Sequence, residues 1–287
     1  MSSLFDGLEK FGMKNDGAID LFEQKKEEVE TKEEVSKDAS LQEEDFLLHK
    51  KVMCPVCDKE IVIKTVKNSK IRRLEADKDL RPRFEVVDVL KYDVVACPHC
   101  GFAILGMYLK DITSIQIRLI RENISSKFKA SARVKEEMED YTYEKAMERY
   151  KLALLNAVVR KARDSEKAYI CLKAAWTIRG QMEEMQKNPQ EWEKNKERLQ
   201  KEEEEFMKNA YEGFLIAISK EQFPMCGMQQ DTVDYILSVL AMRFEKYDTA
   251  SKLISGILSS KTTSRRMKDK TLDIKTELLE KIRSSKS

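Results

Sequence analysis

Two cysteine pairs constrain this chain more than any other feature of its sequence. In each pair two residues separate the cysteines, as Cys54-Pro55-Val56-Cys57 and Cys97-Pro98-His99-Cys100. Such a pair in a tight turn places two thiolates on one side of a metal ion, and two turns complete a tetrahedral zinc site. We therefore predict one structural zinc ion, with the ligands Cys54, Cys57, Cys97 and Cys100.

The residue that follows each pair supports this prediction. Gly101 follows the second pair and Asp58 the first. Turns of this kind commonly need a positive φ angle at that position. Glycine adopts it without strain, and Asp is among the few other residues that tolerate it. The two pairs therefore indicate two similar knuckles.

Other uses of the four cysteines remain open at this point. Disulfides are disfavoured where thiols stay reduced. A thioredoxin-like redox site needs its cysteine pair at a helix N-terminus within a βαβ unit, and one pair suffices. A catalytic zinc ion usually has three protein ligands and an open position for water. Four cysteines close the shell, so we favour structural zinc over redox chemistry or a metal-free cluster.

The remaining histidines and cysteines offer little for chemistry. His99 is expected to point away from the ion, and His49 would serve only in place of a cysteine. Cys171 and Cys226 stand alone in helical segments, where a small buried apolar role is the default. The sequence has 2 His and no Gly-rich phosphate loop, HExxH or GxSxG motif, so we predict no catalytic residues, no organic cofactor and no enzymatic activity.

The composition changes along the 287 residues predict three regions. Residues 1–45 read as a flexible charged tail with apolar anchors. Residues 46–112 read as a zinc-ribbon-like region, because short β-branched runs at 61–63 and 84–95 predict strands beside the cysteine pairs. From about Thr113 the apolar period is helical, with Thr113 or Ser114 as the expected N-cap, and residues 113–287 read as a tetratricopeptide-like α-helical domain.

Two helical stretches carry the spacing of small and large residues found in tetratricopeptide units. Ala lets a neighbouring helix approach, and the large residue fills the groove. These positions are Tyr143, Ala146, Tyr150 and Ala153, and Tyr247, Ala250, Ile254 and Ile257. Residues 191–207 predict a long exposed helix, and residues 272–282 a helix that caps the array. The predicted fold class is α+β and mostly α, a small zinc-ribbon-like β region followed by a tetratricopeptide-like helical array.

The charge balance limits the choice of partners. The net charge is only +2, which removes the general electrostatic case for a nucleic-acid or membrane binder. No secretory signal and no apolar run of about 20 residues is present, so we expect a cytoplasmic protein with no membrane partner.

We predict a non-enzymatic interaction scaffold that holds a protein or peptide on its helical array. The alternative is a nucleic-acid-associated or regulatory protein that uses the zinc ribbon and the basic stretch from Lys64 to Arg83.

The chain also resembles an uncharacterised bacterial family that joins a two-knuckle CxxC region to tetratricopeptide-like helices. The resembling residues are Cys54 to Cys57, Ser69 to Arg72, Tyr92 to Val94, Cys97 to Phe102, Ala146, Tyr150, Ala153, Leu154 and Ala174 to Arg179. The resemblance covers roughly residues 46–260, and Asp58 stands where such knuckles often carry Gly. It implies this architecture and a bacterial source, and it implies no activity.

Overall fold

Two short antiparallel hairpins carry the cysteine pairs. The computed structural model describes residues 42–67, 69–129 and 141–284. Strand β1 (Leu47–Met53) pairs with β2 (Glu60–Val66), with Met53 opposite Glu60. Strand β3 (Val94–Ala96) pairs with β4 (Ala103–Leu105), with Ala96 opposite Ala103. Each cysteine pair therefore lies in the turn of its own hairpin, directly after a strand.

The prediction of strand structure at 84–92 is wrong. Phe84 forms only an isolated bridge with Arg73, and Val89–Tyr92 is a 3-10 turn. Asp88 caps this turn, because its Oδ1 accepts a hydrogen bond from the Leu90 backbone N–H at 3.0 Å. Leu90 is fully buried in the helical core. The apolar residues of this segment therefore reflect burial of a turn rather than strand pairing.

Seven α-helices follow the hairpins among the described residues. Their bounds are α1 (Ser114–Ile120), continued by a π-helical turn (Arg121–Ser125), α2 (Tyr143–Val159), α3 (Asp164–Met185), α4 (Pro189–Lys220), α5 (Gln230–Arg243), α6 (Tyr247–Ser259) and α7 (Arg265–Ser284). Of the two N-cap residues that the sequence allowed, Thr113 and Ser114, it is Thr113 that caps α1, in a capping box with Gln116. The fold is α+β and mostly α, as predicted. No described helix combines the length and apolar character needed to cross a membrane.

The β3–β4 hairpin is buried on both faces, and this joins the cysteines to the helices. Side chains alternate across a strand. Val94 and Leu105 belong to a core cluster with Tyr150 of α2, whereas Val95 and Ile104 pack in the cluster that contains the cysteines. The described residues lie in one compact unit, Leu41–Ser287. The predicted boundary between 46–112 and 113–287 stays a prediction, and residues 1–41 of the predicted tail lie outside the described residues.

The helices bury most of the positions that the spacing singled out, while Tyr143 and Tyr247 are half-buried. Ala146, Tyr150 and Ala153 are buried in α2, as are Ala250, Ile254 and Ile257 in α6. The likeness to tetratricopeptide units stays a prediction. Helix α4 is less exposed than predicted, because one of its faces buries Leu199, Met207 and Phe214. Helix α7 buries Ile274 and Leu278 against the main core.

A chain of ion pairs around two buried carboxylates, Asp79 and Glu203, ties the inter-hairpin loop (residues 69–93) to three helices. Asp79 accepts hydrogen bonds from Trp176 Nε1 at 2.9 Å and from Arg179 Nη1 at 3.1 Å. The Arg179 Nη2 donates to Glu203 Oε1 at 3.0 Å, and Arg243 donates to the same carboxylate at 2.5 Å. Because Trp176, Glu203 and Arg243 lie on α3, α4 and α5, this network fixes the loop over the helical array.

We expect Asp79→Ala to lower the free energy of unfolding by about 2 kcal/mol, because the buried Trp176 N–H loses its acceptor and Arg179 keeps only its other carboxylates. Denaturant unfolding measures the change. Glu85→Ala is the matched control, since Glu85 lies on the same loop and, among the described residues, pairs with the exposed Arg72 alone, at 3.5 Å. That variant should change stability by less than about 0.5 kcal/mol. Equal losses in the two variants would contradict the role of the network.

Candidate metal centre

The two hairpin turns bring the four predicted cysteines together. Their sulfur atoms all lie within 4.8 Å of one another. The Sγ atoms of Cys54 and Cys100 are 3.7 Å apart, and those of Cys57 and Cys97 are 3.6 Å apart. Tetrahedral zinc with Zn–S bonds of about 2.3 Å places its sulfur ligands about 3.8 Å from each other. The cluster therefore has the size of a four-sulfur metal site.

Both turns have the same backbone hydrogen bonds. The Cys54 N–H donates to the Lys59 carbonyl at 2.9 Å, and the Asp58 N–H donates to the Cys54 carbonyl at 2.9 Å. In the second turn the Cys97 N–H donates to Phe102, and the Gly101 N–H to Cys97, at 2.7 and 3.1 Å. Asp58 and Gly101 have φ angles of 56° and 72°. The sequence-based expectation of a positive φ after each pair is therefore confirmed.

The cluster is shielded from water on most sides. Cys54, Cys97 and Cys100 are buried and Cys57 is half-buried. Apolar side chains from both hairpins and α1 surround them: Val56, Ile61, Val95, Phe102, Ile104 and Ile120. Such a setting leaves little room for a water molecule or a substrate beside the sulfur atoms. The arrangement suits a structural site better than a catalytic one.

The electrostatics of the cluster require a cation if all four thiols are to ionise. Hydrogen bonds with the thiols of Cys100 and then Cys97 lower the pKa of Cys54 well below its usual value. The same contact with Cys54 raises the pKa of Cys100 far above its usual value, because a second thiolate would face the first. A divalent metal coordinated by the four sulfur atoms would supply the positive charge that offsets this repulsion.

Two long-range contacts that the sequence analysis missed hold the turns in place. The Arg121 Nε donates to the Val56 carbonyl of the first turn at 2.6 Å. The Asn156 Nδ2 donates to the Gly101 carbonyl of the second turn at 3.0 Å, and Asn156 is fully buried. For Asn156 a signal existed, since a polar residue beside Ala153 and Ala157 interrupts the apolar face of α2. For Arg121 the sequence contains no comparable signal.

The other cysteines and the histidines of the described residues do not contribute to the cluster. His99 and His49 are not among its members, and His49 is exposed on β1. Cys171 is buried in α3, where desolvation raises its pKa to about 12. Cys226 is half-buried, and its thiol donates to the Ser165 carbonyl at 3.3 Å. The described residues thus place only the four predicted cysteines in the candidate site.

The basic stretch between the hairpins is largely engaged in internal contacts. Its partnered members are Lys64 over the Tyr141 ring, Lys67 with the Asp45 carbonyl, Arg72 with Glu85, Arg81 with Glu183 and Arg83 with Asp77. Arg81 is buried, and its Nη1 lies 2.7 Å from Glu183 Oε1 on α3. These contacts attach the loop to the helices. They also leave fewer basic side chains of this stretch available to bind a nucleic acid.

Comparison with known proteins defines the class of this chain. A family model described as "Uncharacterized protein conserved in bacteria (DUF2225)" matches residues 47–282, which span both hairpins and the described helices. The chain therefore belongs to this bacterial family, as its cysteine pairs and helical residues indicated. No curated protein and no solved structure matches the chain.

We expect the two turn residues to respond differently to substitution. Gly101→Ala should destabilise the second turn by about 1–3 kcal/mol, because alanine is strained at positive φ. Its Cβ would also lie 2.5 Å from a ring carbon of Phe128. Asp58→Gly should change stability little, because glycine adopts the φ of 56° freely and only an exposed contact with Arg121 is lost.

The measurements are the midpoint of thermal unfolding and the rate at which a chelator removes the metal. Gly101→Ala should lower the midpoint and accelerate metal loss, and Asp58→Gly should match the wild type. Identical behaviour of the two variants would show that φ at these positions does not control the knuckles.

Proposed function

We propose that the four cysteines hold one structural zinc ion and that the protein is a non-enzymatic interaction scaffold. The complete sulfur shell and its burial support a structural role for the ion. The hairpin β3–β4 contacts the sulfur cluster on one face and α2 on the other, so an ion that orders the hairpin also steadies one end of the helical array. Reduced thiols in such a site fit a cytoplasmic protein.

The observation that carries the scaffold proposal is a solvent-open groove on the helical array. The groove lies between the inter-hairpin loop and helices α3, α5 and α7, and its volume is about 430 Å³. This is within the range of about 300–1,000 Å³ typical of ligand sites. Its apolar lining includes Leu80, Tyr169, Trp176, Met228, Ile236 and Met267. An open groove with apolar walls suits the insertion of an apolar side chain from a partner.

The lining of the groove also favours binding over chemistry. Among the described residues that line it there is no histidine, cysteine, aspartate or glutamate. Its Lys173 forms an ion pair with Asp93. General acid–base or nucleophilic catalysis needs a titratable group with a partner that activates it. The groove is therefore proposed as a recognition surface. The nucleic-acid alternative has less support, because most of the basic stretch is paired internally.

For the metal, we expect about one equivalent of zinc per chain in protein purified without added zinc, measured by elemental analysis. Cys97→Ser should lose most of the zinc and lower the thermal midpoint, because three thiolates bind the ion less tightly. Cys226→Ser is the matched control and should retain the metal, since Cys226 lies outside the cluster. The hydroxyl of the new serine can donate to the same Ser165 carbonyl, so the local contact is kept. Less than about half an equivalent of zinc, or a Cys97→Ser variant with full zinc and stability, would contradict the site.

For the scaffold, we expect the tagged full-length chain to recover a stoichiometric protein partner from its native bacterium at several salt concentrations. Quantitative mass spectrometry gives the ratio of partner to bait. Cys97→Ser should recover less of this partner if the ion steadies the helical array. Recovery of no stoichiometric protein at any salt concentration would count against a scaffold.

A further inference from the structure

We propose that the groove binds an acidic segment of a partner protein, one that carries carboxylates beside a large apolar side chain. This inference rests on the proposed scaffold function and specifies the chemistry of the partner. It depends on two properties of the groove, a rigid apolar floor and an uncompensated set of cations.

The floor of the groove is held in place before any partner arrives. Trp176 and Ile236 are buried, and the Trp176 indole N–H is fixed by Asp79 at 2.9 Å. Leu80, Met228 and Met267 are half-buried around them. A preformed apolar site accepts a side chain without the entropic cost of ordering its own walls. The floor thus fits one large apolar side chain of a partner.

The charges on the groove are of one sign. Arg73, Arg266 and Lys270 line it, and none of them has a carboxylate partner within salt-bridge distance among the described residues. Arg73 lies over the Phe84 ring, 5.8 Å from its centroid, and both arginines are exposed. The fourth cation, Lys173, is neutralised by Asp93.

The three cations have no carboxylate partner among the described residues, and they surround an apolar floor. They therefore complement a peptide segment that carries carboxylates beside an apolar side chain. Guanidinium groups bind carboxylates in a bidentate manner, which gives orientation as well as attraction. Helix α7 starts at the same rim, and Ser264 caps it by accepting the Met267 N–H at 3.3 Å. The positive end of this helix adds to the attraction.

The same features favour a peptide over a nucleic acid. Binding of single strands depends on aromatic side chains that are exposed for base stacking. Here Trp176 is buried and Tyr169 is half-buried. The net charge of the chain is only +2, so attraction for an acidic chain must come from this local patch. An acidic peptide with an apolar residue satisfies both the cations and the floor.

In the test, peptides from a phage-displayed random library are selected for binding to the full-length, zinc-loaded protein at low salt. We expect the selected peptides to be enriched in Asp and Glu next to a large apolar residue. A synthetic selected peptide should bind more weakly as salt rises, because its ion pairs are exposed to screening. Its binding to the triple variant Arg73→Glu, Arg266→Glu, Lys270→Glu should be weaker by about tenfold or more.

The matched control reverses three exposed lysines on α4, Lys194→Glu, Lys201→Glu and Lys208→Glu, with the same change in net charge. It should bind the peptide within about twofold of the wild type, since these residues lie outside the groove lining. Zinc content and thermal midpoint check that each variant is folded. If the charge reversals fail to fold, the neutral variant Arg73→Gln, Arg266→Gln, Lys270→Gln takes their place.

Several results would overturn the inference. The selected peptides could lack acidic residues, or no peptide could be selected at all. The groove variant could bind the peptide as tightly as the wild type, or the α4 control could weaken binding as much as the groove variant does. If the wild type and the groove variant recover the same partner from the bacterium in equal amounts, the proposed scaffold function would be supported and the proposed role of the groove would be refuted. Recovery of no partner by the wild type would instead count against the scaffold itself.

Discussion

Four sulfur atoms within 4.8 Å of one another are the constraint on which the rest of the structure depends. If all four cysteines ionise, thiolates at that distance repel each other strongly, and a positive ion at the centre would offset this repulsion. The hairpins that carry them are also too short to be stable alone, since β3 and β4 have 3 residues each. A metal ion that joins both turns would hold the hairpins together and, through the doubly buried β3–β4 hairpin, order the surface on which α2 packs.

The inter-hairpin loop is the second element that depends on this arrangement. Its two ends are set by the hairpins, and its middle is held by the pairing of Asp79 with Trp176 and Arg179. Burial of these charges is tolerated because each has several partners, and Glu203 extends the network to Arg243. The loop then forms one wall of the groove, so the metal site and the groove are connected through a single ordered segment.

This arrangement separates the candidate metal site from the surface proposed to bind a partner. The sulfur shell is closed and buried, which suits an ion that stabilises structure. The groove lies on the helical side and combines a fixed apolar floor with Arg73, Arg266 and Lys270. Because most other basic residues between the hairpins are used internally, these three give the loop and α7 a local positive charge that the near-neutral composition does not reveal.

What the sequence by itself determined was local. The spacing within each cysteine pair, the residues Asp58 and Gly101 after them, the Thr113 cap and the apolar period of the helices all depend on neighbours a few residues apart, and the structure agrees with each. The tertiary structure alone decided the burial of the 89–92 turn in the helical core, the burial of one face of α4, the contacts of Arg121 and Asn156, and the groove. These features depend on side chains that are distant in sequence, such as Asp79 and Trp176, which are 97 residues apart. Local periodicity contains no information on such pairs, because the energy that selects them arises only when the chain is packed.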